Sequence, residues 1–302
     1  MLFADYYAKW IKLYKEGAVR DVTLKKYQAA LMHIQNLAKD LDIKDMNRTA
    51  YQTLLNDYAK THEKQTVMDF HHMVKPCLLD ARDEGLIQSD PTRRVTIKGK
   101  PAGEKKIKYL NQYELHKLLD TLKLDRDHKY DWLIYLGAKT GVRLSEAIGI
   151  TPQDFDMSTQ SLTINKTYDY KDTCTFVPTK NKSSIRKIQI DWQTMNKFYW
   201  YIKDMAPDKP IFVEPDSKIY DTTINDILAK HCRDAKVPEI TFHGLRHTHA
   251  SVLLYSGVSV PSVSRRLGHS SIATTQKVYL HIIKEMDNFD NDIVMKTLVS
   301  LE

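Results

Sequence analysis

Residues 241–249 read Thr241-Phe242-His243-Gly244-Leu245-Arg246-His247-Thr248-His249, the densest group of ionisable side chains on an otherwise apolar pattern. His243, Arg246 and His247 fall at positions i, i+3 and i+4, so a helix places them together on one face. Apolar residues fall on the opposite face of the same helix, namely Leu245, Val252 and Leu253. We interpret the convergent polar face as part of a functional site.

A zinc site is one interpretation of these histidines. The possible ligands are His243, His247 and His249, with Cys232 or His269 as the fourth. Arg246 would repel a metal ion beside it, and neither a carboxylate nor a second cysteine completes a usual ligand set. We therefore favour a site that uses no metal and no cofactor.

A second polar group opens a predicted helix in Thr140-Gly141-Val142-Arg143-Leu144-Ser145-Glu146. Arg143 falls in the first turn, where free backbone N–H groups and the helix dipole favour an anion. Glu146 follows one turn later. An ordinary Arg–Glu helix pair is the alternative when this segment is taken alone.

A polar turn separates two predicted strands at Pro178-Thr179-Lys180-Asn181-Lys182-Ser183-Ser184. We expect Lys180 and Lys182 to project from a mobile hairpin tip. Taken alone, this segment is typical of a solvated β-turn.

A last polar group begins with Leu267-Gly268-His269 and leads into another predicted helix. Ser270 or Ser271 is placed to cap that helix, which carries Tyr279. By itself, a tyrosine on a helix is typical of core or rim packing.

Together these segments resemble the tyrosine recombinase, or phage integrase, family, and within it the integrases of phages and conjugative transposons. The resemblance covers nearly the whole length. The positions that carry it stand in the family's order with similar spacing: Arg143, Lys180, His243-Gly244-Leu245-Arg246-His247, Leu267-Gly268-His269 and Tyr279. Ser145 departs from the pattern, because many members have glycine there, and puts little in doubt.

The resemblance implies an enzyme that breaks and rejoins DNA strands without metal or ATP. Tyr279 would attack the scissile phosphate and form a 3′-phosphotyrosine, which conserves the bond energy for religation. Arginine suits the phosphate because its planar fork binds two oxygens and stays charged. The remaining implied roles are clamping of the transition state by Arg143 and Arg246, protonation of the 5′-oxygen by Lys180, acid–base assistance by His243, hydrogen bonding to a nonbridging oxygen by His269, and orientation of Arg143 by Glu146.

Three segments make up the predicted domain organisation. Helical periodicity predicts an all-helical bundle over residues 1–95, which the resemblance implies is a core-DNA-binding domain. Residues 96–108 are glycine-containing and basic, and we interpret them as an interdomain linker. Residues 109–302 form the implied catalytic domain, with an apolar stripe in a C-terminal tail over 287–302.

The fold class expected is mainly α with a small antiparallel β-sheet. Alternation with a period of two predicts strands over 161–165, 173–177 and 184–190, between helical segments. A helical core-binding domain and a mixed α/β catalytic domain result.

Clustered bases in and around the linker are predicted DNA contacts, because Lys and Arg release counterions when they meet phosphates. A solvated tether is the alternative. The predicted DNA-binding residues are Arg93, Arg94, Lys98, Lys100, Lys105, Lys106, Lys108 and, in the polar turn, Lys182.

Composition is consistent with a protein that acts on DNA. The 302 residues predict two domains, and a net charge of +7 with a pI near 9.0 favours a polyanionic partner. No apolar run approaches the roughly 20 residues that span a bilayer, and the N-terminus lacks signal-peptide features. We expect a bacterial cytoplasmic protein with no membrane partner and with reduced thiols at Cys77, Cys174 and Cys232.

Other functions share part of this sequence pattern with a mobile-element integrase. Residues 260–279 have the helix, glycine turn and helix of a helix-turn-helix regulator, but that model gives Arg143, Lys180 and Arg246 no role. A relaxing topoisomerase and an Xer-like chromosome dimer resolvase share the tyrosine chemistry. The long connection over 167–173 and the less compact hairpin around Lys180 favour an integrase.

Double-stranded DNA with att-type crossover sites is the expected partner. We expect a monomer in solution that forms a homotetramer on DNA, with the tail docked on a neighbouring protomer, and an accessory DNA-bending or excision factor is possible within this family. The sequence leaves open whether an arm-binding domain has been removed from the N-terminus.

Overall fold

The computed structural model describes residues 1–101, 103, 109–171, 173–179, 181–214 and 218–279. The chain divides into two compact units, Met1–Lys105 and Lys106–Glu302. Within the described residues, no helix is both long enough and apolar enough to cross a membrane.

The first unit is a bundle of helices around an aromatic-rich core. Tyr7, Tyr51 and Phe70 are among its buried residues, and the Asn47 side chain caps one helix by accepting from the backbone N–H groups of Thr49 and Ala50. The helices are α1 (Phe3–Tyr14), α2 (Asp21–Leu37), α3 (Arg48–Ala59) and α4 (Lys64–Asp83).

The segment after α4 belongs to the first unit and packs on its helices. Val95 and Ile97 contact its apolar core, and the backbone N–H of Lys100 donates to His62 O at 2.8 Å. Residues 96–101, the first half of the predicted linker, therefore lie along the bundle, whereas 102 and 104–108 lie outside the described residues.

The second unit surrounds one helix, α6, whose residues are buried on almost every side. Phe242 on α10 approaches α6 so closely that a Cβ added at Gly137 would lie 2.6 Å from its ring. The helices are α5 (Gln112–Asp120), α6 (Lys129–Thr140), α7 (Leu144–Ile148), α8 (Trp192–Ile202), α9 (Asp221–Asp234), α10 (Phe242–Tyr255) and α11 (Val260–Leu267), followed by helical residues 272–279.

Short antiparallel strands of the second unit form two separate sheets. One has the order β1-β2-β5, with Thr163 opposite Lys187, and the other pairs β3 with β4, with Tyr168 opposite Phe176. The strands are β1 (Phe155–Asp156), β2 (Ser161–Ile164), β3 (Lys166–Asp169), β4 (Thr175–Pro178) and β5 (Arg186–Gln189).

The predicted hairpin around residues 178–184 is wrong, although both flanking strands exist. β4 pairs with β3 and β5 pairs with β2, so residues 179–185 connect two sheets and contain a 3₁₀ turn, Lys182–Ser184. The predicted connection over 167–173 is wrong in its bounds, since residues 167–169 belong to β3. Alternation identifies a strand, but its partner depends on packing elsewhere in the domain.

Candidate active site

Arg143 lies between α6 and α7, two residues after the left-handed Gly141 (φ 66°) that ends α6. Its Nη1 donates to Glu146 Oε1 at 2.7 Å, and its Nη2 donates to Gly268 O at 3.2 Å. The Arg143 side chain remains 32% exposed. It is thus oriented from two directions while part of it faces solvent.

Arg246 projects from α10 into the same region and is almost fully buried. Nη1 donates to Gly141 O at 2.8 Å and Nη2 donates to Leu267 O at 2.7 Å. Burial, with the nearby charge of Arg143, lowers the pKa of Arg246 to about 9, so the group is still a cation at neutral pH.

Glu146 is the buried anion between the arginines. Its Oε2 accepts from Arg186 Nη2 at 3.0 Å, and Oε1 accepts from Arg143. Burial by itself would raise the pKa of the Glu146 carboxyl, but Arg186 and Arg143 outweigh that effect and lower it. Glu146 therefore stays ionised and fixes both guanidinium groups.

Arg186 is not among the predicted site residues. A signal was present in β5, because Arg186 lies on the same face of the strand as the buried Ile188 and Ile190. A charge on the inward face of a strand requires a buried partner. Here that partner is Glu146.

The end of α11 holds all three arginines through consecutive backbone carbonyls. The last carbonyls of a helix lack partners within it and carry partial negative charge, so they suit cations. The bonds are Arg186 Nε to Arg266 O (2.7 Å), Arg246 Nη2 to Leu267 O (2.7 Å) and Arg143 Nη2 to Gly268 O (3.2 Å).

His269 follows this turn directly. Its Nδ1 lies 2.7 Å from Thr275 Oγ1. Burial, reinforced by the charges of Arg246 and Arg143, lowers the pKa of His269 to about 4. The ring is neutral at physiological pH, and when Thr275 donates to Nδ1, the proton resides on Nε2.

Tyr279 lies on the helical segment 272–279, where Ser271 Oγ accepts from Ala273 N. Its side chain is buried, and its Oη lies 3.0 Å from His247 Nδ1. Burial raises the pKa of Tyr279 to about 12 although Arg246 acts in the opposite direction.

His243 contacts His247 rather than providing the bond to Tyr279. The two rings are perpendicular, with centroids 4.8 Å apart. Partial desolvation and the charges of Arg246 and Arg143 lower the pKa of His243. His247 is thus placed between His243 and Tyr279, and its position one residue after Arg246 was the available sequence signal.

The family model for the phage integrase family matches residues 108–286, more than half of the chain. The chain belongs to the phage integrase family. Membership makes it a tyrosine recombinase, which cleaves and rejoins DNA strands at specific sites.

Relatives in this family align over most of the chain. The integrase of Staphylococcus phage L54a is 24% identical and covers 92% of this chain and 88% of its own. The XerC-like tyrosine recombinase of Caldanaerobacter subterraneus is 24% identical over an alignment that covers 87% of this chain and 75% of the relative. The solved Tn1549 transposon integrase, in complex with a circular intermediate DNA, shares the fold with a TM-score of 0.79 at 19% identity, covering 96% of this chain and 99% of that one.

Within this integrase fold, His249 is an internal structural residue. Its Nδ1 lies 3.1 Å from Ala138 O, and its Nε2 accepts from Arg266 Nε at 2.9 Å. Burial, with Arg266 nearby, lowers the pKa of His249 to about 3. Both ring nitrogens are occupied, so His249 does not supply a zinc ligand, and no group of at least three potential metal ligands occurs among the described residues.

Several predicted residues of this integrase fall outside the site just described. Lys180, Lys105, Lys106, Lys108 and the tail over 287–302 lie outside the described residues. Lys182 is exposed in the 3₁₀ turn, whose Ser184 Oγ is 3.5 Å from Arg143 Nη1. The remaining predicted contacts, all exposed on the first unit, are Arg93, Arg94, Lys98 and Lys100.

Arg186→Met should destabilise the integrase fold by about 3–5 kcal/mol, because it leaves the buried Glu146 carboxylate with one arginine instead of two. Urea denaturation measures the change. The control is Arg233→Met, which breaks an ion pair with Glu239 whose side chains are 59% and 54% exposed and should change stability by less than about 1 kcal/mol. Equal effects of the two variants would contradict a structural role for Arg186.

Proposed function

We propose that Tyr279 is the nucleophile of strand cleavage and that Arg143 and Arg246 bind the scissile phosphate. The observation that carries the proposal is the convergence of Tyr279, His247, His243 and the two arginines within one unit. Metal-free cleavage of a phosphodiester requires a nucleophile, cations at the nonbridging oxygens and an acid for the leaving oxygen. The cluster supplies the first two.

In the proposed step, Tyr279 Oη forms a bond to phosphorus while the bond from phosphorus to the 5′-oxygen breaks. The 5′-oxygen takes a proton from Lys180, the acid that the family resemblance implies. Arg143 and Arg246 stabilise the charge that develops on the nonbridging oxygens, and because carbonyls already orient both, little reorganisation is needed. Attack by a 5′-hydroxyl of another strand reverses the step.

His269 is proposed as a neutral donor to a nonbridging oxygen. Thr275 holds Nδ1, which leaves Nε2–H for the phosphate. The lowered pKa of His269 means that this role does not depend on its protonation near pH 7.

Incubation with a nicked suicide duplex tests the proposed function. The duplex carries the crossover site found by sequencing the ends and junctions of the native element. A protein–DNA adduct that survives denaturant is the expected product, whereas a regulator that only binds DNA gives none.

Adduct formation should be unchanged by EDTA, because Arg143 and Arg246 supply the positive charge that a metal would otherwise bring. Gel quantitation of the adduct with and without chelator measures this. Loss of cleavage in EDTA, with recovery on adding magnesium or zinc, would contradict the metal-free mechanism.

We further propose that the substrate is a mobile element with att-type sites. Similarity to the phage L54a and Tn1549 integrases supports this choice, while similarity to XerC-like recombinases supports chromosome dimer resolution as the second candidate. Sequenced junctions decide between them: element–chromosome junctions support the integrase, and resolution confined to a single chromosomal site supports the resolvase. An accessory factor that sets direction is part of the integrase proposal.

The exposed bases on the first unit, Arg93, Arg94, Lys98 and Lys100, are proposed phosphate contacts. We propose a monomer in solution and a tetramer on two DNA sites, with the tail in contact with a neighbouring protomer. Its sequence has an apolar stripe of Ile293, Val294, Leu298, Val299 and Leu301.

Truncation after Phe289 should leave the melting temperature nearly unchanged and weaken cooperative assembly and recombination, because the stripe is proposed to pack on another protomer. Calorimetry and gel-shift titrations on one-site and two-site DNA measure the two effects. Single-site binding is the internal control and should persist. A clear drop in melting temperature with unchanged cooperativity would show packing within the same chain.

A further inference from the structure

The proposed nucleophile has a hydrogen-bond partner to which the implied roles assign nothing. His247 Nδ1 lies 3.0 Å from Tyr279 Oη, and the two ring centroids are 5.8 Å apart. His247 is only partly buried, whereas Tyr279 is 2% exposed. The phenol is therefore held in place at its oxygen.

Tyr279 needs a base because it is protonated at neutral pH. With a pKa of about 12, the phenolate makes up only about one part in 10⁵ at pH 7. Bonding to phosphorus requires loss of that proton. A base within hydrogen-bond reach can remove it during attack, an effect worth typically about 10²–10⁴-fold in rate.

The other charged groups around the phenol are unsuited to that task. Glu146 accepts from two arginines with both oxygens, and Arg246 carries a positive charge. His243 packs against the ring of His247, and among the described residues no hydrogen bond joins it to Tyr279. The charge of Arg246 acts on Tyr279, to which His247 is hydrogen-bonded, so the proposed phosphate-binding cation and the phenol's partner belong to the same site.

We propose that His247 is the base that accepts the Tyr279 proton as the phenol attacks the phosphate. The inference rests on the proposed role of Tyr279 as nucleophile. In the tautomer that this step requires, the His247 proton is on Nε2, so Nδ1 takes the phenol proton and the ring becomes imidazolium. The Oη–phosphorus bond forms, the bond to the 5′-oxygen breaks, and that oxygen takes its proton from Lys180.

The incoming DNA phosphate makes this transfer favourable. A second cation beside Arg246 is costly in the free protein, but the phosphate brings negative charge next to the imidazolium. In religation the same imidazolium returns its proton to Tyr279 Oη as the phosphotyrosine bond breaks. His247 thus serves both directions without any net change in protonation.

The decisive variant is His247→Asn, because its Oδ1 can accept the phenol hydrogen bond near the position of Nδ1 but cannot take the proton. Single-turnover cleavage is measured on two suicide duplexes, one with the normal 5′-oxygen and one with sulfur at that bridging position. Sulfur leaves without an acid, so the second duplex isolates chemistry at the nucleophile.

We expect His247→Asn to slow cleavage by about 10²-fold or more on both duplexes. Lys180→Ala should be slow on the oxygen duplex and recover on the sulfur duplex. Added imidazole should restore cleavage by His247→Ala. The restored rate should fall as the pH is lowered, because imidazole becomes protonated. The exposed helical control His116→Asn should match the wild-type protein.

Two results would overturn the inference. A His247→Asn cleavage rate within about threefold of wild type would show that His247 only orients the phenol. Recovery of cleavage by His247→Asn on the sulfur duplex would show that His247 acts at the leaving oxygen. DNA affinity and melting temperature confirm that each variant is folded. A failure of the proposed function appears separately, as adduct formation by Tyr279→Phe.

Discussion

Tyr279→Phe is expected to abolish the covalent adduct while DNA affinity stays within a few-fold of wild type. The substitution removes the proposed nucleophilic oxygen and keeps the ring, which is almost fully buried and so offers little surface to DNA. The lost hydrogen bond to His247 costs about 1 kcal/mol of stability. Adduct is quantified on the suicide duplex, and affinity is measured by gel shift.

The matched control for this variant is Tyr135→Phe. Tyr135 is a buried tyrosine of the same unit whose hydroxyl lies 3.2 Å from Thr194 Oγ1, away from the arginines. Its loss should reduce stability slightly and leave cleavage unchanged. Covalent adduct from Tyr279→Phe, at any appreciable rate, would assign the nucleophile to another residue.

Arg246→Lys is expected to slow cleavage by about 10²-fold or more, the effect typical of losing one donor to a developing oxyanion. Lysine keeps the positive charge but, as a point charge, lacks the planar fork that reaches the carbonyls of Gly141 and Leu267 together. Single-turnover cleavage is the measurement, with DNA affinity changing much less.

Arg143→Ala should slow cleavage by a comparable factor. Of the two arginines proposed to bind the phosphate, Arg143 is the one whose side chain is partly exposed, so a phosphate can reach it. Arg233→Lys, on the surface of α9, is the control and should be silent. Near-normal adduct formation by Arg246→Lys would show that a positive charge at this position is enough for cleavage without the planar guanidinium. The same outcome for Arg143→Ala would remove that residue from the phosphate site.

Helices and the fold class were predictable from the sequence, because an amphipathic pattern is local. Strand pairing was not, since the partner of residues 175–178 is the preceding strand and not the following one. The contact between His247 and Tyr279 joins positions far apart in the chain, so periodicity gives no sign of it. The sequence shows Arg186 as a charged residue on the inward face of a strand, but it does not show that Glu146 is the anion with which Arg186 pairs.

The backbone carbonyls that bind the arginines could not be predicted from the sequence. Every residue has a backbone oxygen, so nothing in the side-chain order of residues 266–268 marks those oxygens as ligands of three cations. Only the geometry of the helix end brings them into use.

The turn at residues 266–268 gives the three cations a common mechanical support. Arg143, Arg186 and Arg246 come from three different elements but bond the same short backbone segment. From that segment the chain continues through His269 to Tyr279, so the proposed nucleophile follows the same backbone segment that binds the three arginines. A displacement of residues 266–268 would move Tyr279 and the three arginines together, so the arrangement of these four side chains is kept or lost as a whole.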